Sequence, residues 1–219
     1  MSSIRERVHD ILSQLPEGVE LVAVGKGRTP TEVLEAVEAG ATTIGENYIK
    51  DAKTARELIG ARAKWHFIGR MRPHDVRASN LNLFDMVESV DSLELAERID
   101  EKCAGLGYKM PVLVEVNSGR ESQKAGVWPE QAEGLVRQIA SLRNVRVSGL
   151  MTMGPLMVAR EAYRPCFAET RELFLSLRRS DIPGVSMEKL SMGTSDSYEV
   201  AVEEGANVVR LGTVLFGPR

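Results

Sequence analysis

The stretch that decides the fold is "ELVAVGKGRTPTEVLEAVEAG", residues 20–40. It opens as a short apolar run that ends on Lys26. It then switches to a helical pattern. Thr29 stands where an N-cap belongs, Pro30 takes the first helical position, and Glu32 completes a capping box. Gly40 supplies the stop. Val33, Ala36 and Val37 fall on one face of the helix. A buried strand followed at once by an amphipathic helix is the repeating unit of an α/β fold.

The unit recurs along the chain. Strands are expected at 20–26, 42–48 ("TTIGENY"), 64–69 ("KWHFIG"), 84–90 ("FDMVESV"), 111–117 ("PVLVEVN"), 145–153 ("VRVSGLMTM"), 188–193 ("EKLSMG") and 207–217 ("NVVRLGTVLFG"). Several are apolar almost throughout, as strands covered on both faces are. Helices fit between them. "DSLELAERIDEKCAGLG" (91–107) carries Asp91 and Glu94 at its cap and Gly105 near its end. "WPEQAEGLVRQIASL" (128–142) is another, and "REAYRPCFAETRELFLSLRRS" (160–180) is broken or kinked early by Pro165. Eight strands, seven helical connections and one leading helix predict a closed (β/α)8 TIM-type barrel, one domain over residues 1–219. An open doubly wound sheet would carry G-x-G-x-x-G after its first strand, and "GKGRTP" does not match.

Composition narrows the function. The 219 residues are 43% hydrophobic and 27% charged, with net charge −3. There is no basic excess for nucleic acid. Aromatics, at 5%, are too few for a base-stacking platform. Cys103 and Cys166 show no metal-ligand spacing and read as reduced structural thiols. The start "MSSIRERVHDILSQL" lacks the apolar core of a signal peptide, and no apolar run is long enough to span a bilayer. A cytoplasmic protein with no membrane partner is expected.

Barrels of this kind gather function at the C-terminal ends of their strands, with phosphate often held after strands seven and eight. Strand one ends on Lys26. An uncharged amine attacks carbonyl carbon to form a Schiff base; the plainer alternative is a lysine that snorkels or pairs with a carboxylate. Strand two ends in "GENY". Glu46 suits a cation and Asn47 a ring oxygen, and a simple turn is equally consistent. His66 in "WHFIG" points into the barrel, where a lone histidine is more often a core residue. Lys124 in "SGRESQKAG" reads as an ion-paired loop residue. Strand seven runs into "LSMGTSDSYE", where Ser191, Gly193, Thr194 and Ser195 precede a helix expected near Asp196, a setting for a phosphate or for ordinary N-capping. Strand eight places Arg210 two residues before Gly212 and Thr213, on one face with Gly212. A buried arginine needs a partner, either a ligand or a core carboxylate. An amine on strand one opposite a phosphate cradle with an arginine beside it fits a phosphorylated aldehyde. Pyridoxal 5′-phosphate (PLP) is such a molecule.

With "LVAVGK", "GENY", "WHFIG", "VEVN…E..K.G", "GLMTM", "LSMGTSD" and "VRLGTVLFG" in this order, the chain resembles the pyridoxal phosphate homeostasis proteins over nearly its whole length. The resemblance implies a monomeric barrel related to the N-terminal domain of alanine racemase, of PLP fold type III without the second β domain. It implies that Lys26 forms the Schiff base with PLP and that Asn47 lies near the ring. Ser191, Gly212 and Thr213, with Ser195, would hold the phosphate, and Arg210 would face the pyridine nitrogen. His66, Met151 and Met192, within matched segments, complete the implied cofactor-binding set. No catalytic residue and no metal is implied. The implied role is PLP buffering and delivery, with PLP-requiring apo-enzymes as partners.

The chain departs from that pattern in places. Gly25-Lys26-Gly27-Arg28 stands where the family has Ser-Lys-Thr-Lys, so a second amine is replaced by Arg28. In "RMRPHDVR", Arg72, His74 and Asp75 replace a Gln and an Asn-Lys pair, while Arg77 agrees. Thr194 replaces a methionine, and the sequence ends in "FGPR" where the family carries R-x-Y. Three rival readings share the lysine. A PLP-dependent amino acid racemase needs a second β-rich domain and a base on the other ring face. A Schiff-base aldolase needs an acid or base beside Lys26, with His66 or Glu46 as candidates. A binding module would use the charged loop 70–77 to contact PLP enzymes.

Overall fold

The computed structural model describes residues 2–105, 107–155 and 159–218. Helix α1 (Ile4–Gln14) precedes the barrel, capped by Ser3 in a box with Glu6. Eight strands follow: β1 (Glu20–Val24), β2 (Thr43–Glu46), β3 (Lys64–Phe67), β4 (Met86–Val90), β5 (Met110–Glu115), β6 (Val145–Met151), β7 (Val185–Ser191) and β8 (Val208–Leu211). They pair in parallel in chain order, and β1 closes on β8 with Val22 opposite Arg210. Between them lie α2 (Pro30–Glu38), α3 (Ile49–Ile59), α4 (Ala78–Leu81), α5 (Leu93–Cys103), α6 (Pro129–Ile139), α7 (Arg164–Arg179) and α8 (Tyr198–Glu203). The final helix, α9, is Thr213–Phe216.

The local rules hold where they were strongest. Thr29 caps α2 in a box with Glu32, and Pro30 sits in its first turn. Pro165 marks a change from 3-10 turns at Arg160–Tyr163 to α7, not a kink within a longer helix. At α5 the cap is Ser92, whose hydroxyl accepts from the Leu95 N–H at 3.3 Å, in place of Asp91. The run 207–217 is not one strand. Its apolar pattern is shared by β8 and the short helix α9, because helix and strand look alike over so few residues.

Alternation along each strand sorts side chains into two regions. The outward positions, such as Ile44, Trp65 and Leu150, pack with helix residues such as Ile59, Ile99, Ile139 and Phe167 into one apolar shell. Each such side chain contributes about 1.5–3 kcal/mol when fully buried. The inward positions are partly polar. At the floor, Lys189 pairs with Glu20, which also accepts from Thr43 Oγ1 at 2.7 Å. Above it lie His66, Glu88, Ser191 and Arg210, all buried.

β6 and β7 leave no room for a side chain at Gly149. A Cβ placed there would stand 1.8 Å from the Lys189 carbonyl oxygen, a backbone atom with no freedom to retreat. Gly149→Ala is therefore expected to destabilise the barrel by about 3 kcal/mol or more. A fall in the urea midpoint checks this; a midpoint within error of the wild type would show that the strands separate freely.

Candidate functional site

The barrel's C-terminal face carries a cleft of about 240 Å3. Val24 and Lys26 reach it from β1, Asn47 and Ile68 from the ends of β2 and β3, and Thr194, Ser195 and Asp196 from the turn after β7. Met153, Arg210, Gly212 and Thr213 complete it. Lys26 is half-buried and makes no hydrogen bond or ion pair among the described residues; its Nζ lies 5.7 Å from the ring centre of Tyr48. The turn after β7 is built on Gly193, whose φ is 94°; a Cβ there would meet Ala201 Cβ at 2.6 Å and Tyr198 Cα at 2.8 Å. That bend aims Ser195 at β8. Its Oγ accepts the backbone N–H groups of Gly212 at 3.1 Å and Val214 at 3.3 Å. The Gly212 N–H and the Ser195 hydroxyl thus meet at the cleft wall, with the Val214 N–H held on the same hydroxyl, a set suited to an oxyanion such as a phosphate. Ser197, not Ser195 or Asp196, is the residue preceding α8.

Arg210 stands under the cleft, 2% exposed. Its Nη2 donates to the Thr152 carbonyl at 2.8 Å and touches Met153 Sδ at 3.2 Å, and its Nη1 donates to Ser191 Oγ. Nη1 also lies 3.8 Å from Glu88 Oε2. Glu88 in turn accepts from Ser191 Oγ at 2.6 Å and meets His66 Nδ1 at 2.7 Å. Burial alone would raise the Glu88 carboxyl; the His66 ring, Arg210 and the Ser191 hydroxyl outweigh it and hold the group below its ordinary value. Burial also pulls the Arg210 guanidinium downward, and Glu88 and Glu115 oppose that.

Of the residues singled out in sequence, the cleft unites Lys26, Asn47, Ser195, Arg210, Gly212 and Thr213. Four others are placed elsewhere. Ser191 is fully buried with its hydroxyl committed to Glu88 and Arg210, one level below the phosphate-type cradle. His66 serves that same internal chain. Met151 packs inside the barrel against Met86 and Leu113. Met192 lies in the outer apolar shell. Each sits near the strand ends in sequence, but alternation and depth remove it from the cleft wall. Sequence reading passed over Glu88, although its signal was available: a glutamate among the apolar residues of "MVESV" is the acid that a buried Arg210 requires.

Other expectations resolve structurally. Lys124 pairs with Glu121 at 2.6 Å and donates to the Gly154 carbonyl at 2.8 Å. Arg28 clamps the C-terminal turn through the carbonyls of Phe216 and Gly217 and lies 3.7 Å from Glu32, so it is bound into the fold. Glu46 turns toward the helices, where a Cβ on Gly25 would lie 2.2 Å from its Oε1. Its Oε2 has no partner, and burial, aided by Asp51, pushes the carboxyl up to about 8. Neither Glu46 nor His66 lines the cleft with Lys26. Both cysteines are free, no helix among the described residues is long and apolar enough to cross a membrane, and no His/Cys/Asp/Glu cluster there could hold a metal.

A closed barrel with an unpaired lysine and an oxyanion cradle at its mouth defines a class. The sequence matches the family model "Alanine racemase, N-terminal domain" over residues 1–219. It is 36% identical to the pyridoxal phosphate homeostasis protein of Pseudomonas aeruginosa, covering 100% of this chain and 97% of the relative. For the protein of that name from Aquifex aeolicus the figures are 35%, 100% and 96%. The structure of PipY from Synechococcus elongatus with PLP bound superposes with a TM-score of 0.88 at 32% identity, covering 98% of this chain and 100% of PipY. The chain belongs to the pyridoxal phosphate homeostasis protein family.

Two variants test this electrostatic account. Glu88→Ala leaves a buried guanidinium without its nearest carboxylate and is expected to cost about 3–5 kcal/mol, whereas removing Glu133 from its exposed pair with Arg137 should cost less than about 1 kcal/mol. Equal losses in chemical denaturation would contradict it. For Glu46 the folded value is raised above the ordinary 4.5 to about 8. Its contribution is therefore present in full below about pH 4.5 and drains away as the pH rises toward 8. Glu46→Gln should match the wild type near pH 4.5 and exceed it in stability near pH 8. A constant difference across that window would contradict the assignment.

Proposed function

We propose that the protein binds PLP in the cleft at the barrel mouth, then buffers and delivers it to PLP-requiring apo-enzymes without turnover of its own. The observation that carries this reading is that Lys26, an amine with no hydrogen bond or ion pair among the described residues, lines one cleft with Ser195, Gly212 and Thr213. PLP supplies, when bound, an aldehyde reactive toward primary amines and an electron-withdrawing ring. Lys26 is the amine that holds the aldehyde carbon. The Gly212 and Val214 N–H groups, with the Ser195 and Thr213 hydroxyls, take the phosphate. Asn47 flanks the ring. Arg210 faces the ring nitrogen and, as a cation, disfavours its protonation, which weakens the ring as an electron sink. The reading includes one domain over residues 1–219, a monomeric state and a cytoplasmic location.

Adding PLP to the cofactor-stripped protein, reducing with borohydride and mapping peptides by mass spectrometry tests the main reading. A phosphopyridoxyl mass on the Lys26 peptide is expected, and none in Lys26→Ala. A label confined to another lysine, or none, would overturn it. With the PLP-loaded protein before any reduction, L-alanine should yield no sustained D-alanine; sustained turnover would favour the racemase.

A further inference from the structure

The fold withdraws most of its described sulfur from oxidants, with one exception. Peroxides attack cysteine as the thiolate. Burial pushes the Cys103 thiol up to about 11, with Asp100 adding to the rise, and the residue is 1% exposed. Burial likewise raises the Cys166 thiol, with Glu169 and Glu121 adding and Lys124 and Arg120 opposing. Both thiols are thus held in their unreactive form at neutral pH. Met71, Met86, Met110, Met151, Met187 and Met192 are each 7% exposed or less. Met153 is 42% exposed.

That one exposed thioether stands at a sensitive place. Met153 follows β6 by two residues and lines the cleft with Lys26, Ser195 and Gly212. It also lines a neighbouring cavity of about 420 Å3, which gives a small oxidant a second approach. Its Sδ lies 3.2 Å from Arg210 Nη2, whose other acceptor is the Thr152 carbonyl at 2.8 Å. A thioether is a weak acceptor. Its sulfoxide is polar, so oxidation would replace a weak contact to the guanidinium with a strong one.

We propose that Met153 is an oxidation site that lowers cofactor affinity: hydrogen peroxide converts its thioether to the sulfoxide, and the new oxygen accepts a hydrogen bond from Arg210 Nη2. In that step a sulfur lone pair takes one oxygen of the peroxide. An S–O bond forms, the O–O bond breaks, and the second oxygen leaves as water with both protons. Sulfur is oxidised and the peroxide is reduced. The effect on affinity rests on the PLP reading, in which Arg210 faces the ring nitrogen; the site of oxidation does not. The sulfoxide oxygen competes with that nitrogen for one guanidinium, and it takes up room in a cleft of about 240 Å3.

The cofactor-stripped full chain is treated with hydrogen peroxide, and its peptides are sequenced by mass spectrometry over time. One added oxygen is expected on Met153 at least about tenfold faster than on any of the six buried methionines. Titration with PLP should then show affinity about tenfold weaker than before treatment, restored by methionine sulfoxide reductase. In Met153→Leu the affinity, whatever its starting value, should not change with peroxide. Met1 and Met157, outside the described residues, are retained in that variant, which separates Met153 from them. Met153→Gln, with an amide oxygen at comparable reach, should bind PLP as weakly as the oxidised protein. Oxidation that begins at a buried methionine or at a cysteine overturns the inference and leaves the PLP reading standing. So does a Met153 sulfoxide with unchanged affinity, or a loss on treatment that persists in Met153→Leu. A protein that takes no PLP on Lys26 overturns the PLP reading and the affinity effect with it, while the peptide map still decides the oxidation site.

Discussion

A guanidinium sealed inside a barrel must be answered by acid and by hydrogen-bond acceptors, and Arg210 sets that condition for this fold. It is 2% exposed, and its partners come from across the barrel: Ser191 on β7, Glu88 on β4 and, through Glu88, His66 on β3. The chain of contacts therefore ties β8 to the opposite wall. Ion pairs of this depth gain little over an apolar filling but penalise the loss of either member heavily. The consequence here is geometric. Arg210 has one position, and the cleft above it inherits a fixed floor.

The barrel divides its labour by alternation. Outward side chains form the apolar shell that holds the helices, while the inner column runs from the Glu20–Lys189 pair through the Arg210 network to the open mouth. The site's components then lie just beyond the strands, on short turns that the strands aim. Gly193 makes the bend that brings Ser195 to the N–H groups of Gly212 and Val214. Arg28 fastens the β1 turn to the C-terminal turn, so Lys26 and the oxyanion cradle are anchored to each other.

Most of the architecture was legible because it follows local rules. The capping box at Thr29, the glycine stop at Gly40 and the apolar runs each declare an element within a few residues. What was lost needed depth or pairing. Ser191 and Ser195 are equivalent as letters in "LSMGTS", yet one is sealed beneath the cleft and the other lines it. Asp91 and Ser92 are both good caps as letters, and the fold uses Ser92. Glu88 was passed over because it sits singly among apolar residues, and its meaning comes from a strand far away in sequence, through Arg210.

The same network links structure to the proposed role. On the proposed reading, the cation held beneath the cleft would keep the ring nitrogen of a bound cofactor from taking a proton, which would leave the ring a weak sink for electrons. The proposed binding without turnover would follow from that electrostatic arrangement. The most direct measurement is the nitrogen NMR shift of PLP labelled with 15N in its ring, bound to the protein at neutral pH. The account predicts the shift of an unprotonated pyridine. The shift of a protonated pyridinium would contradict it.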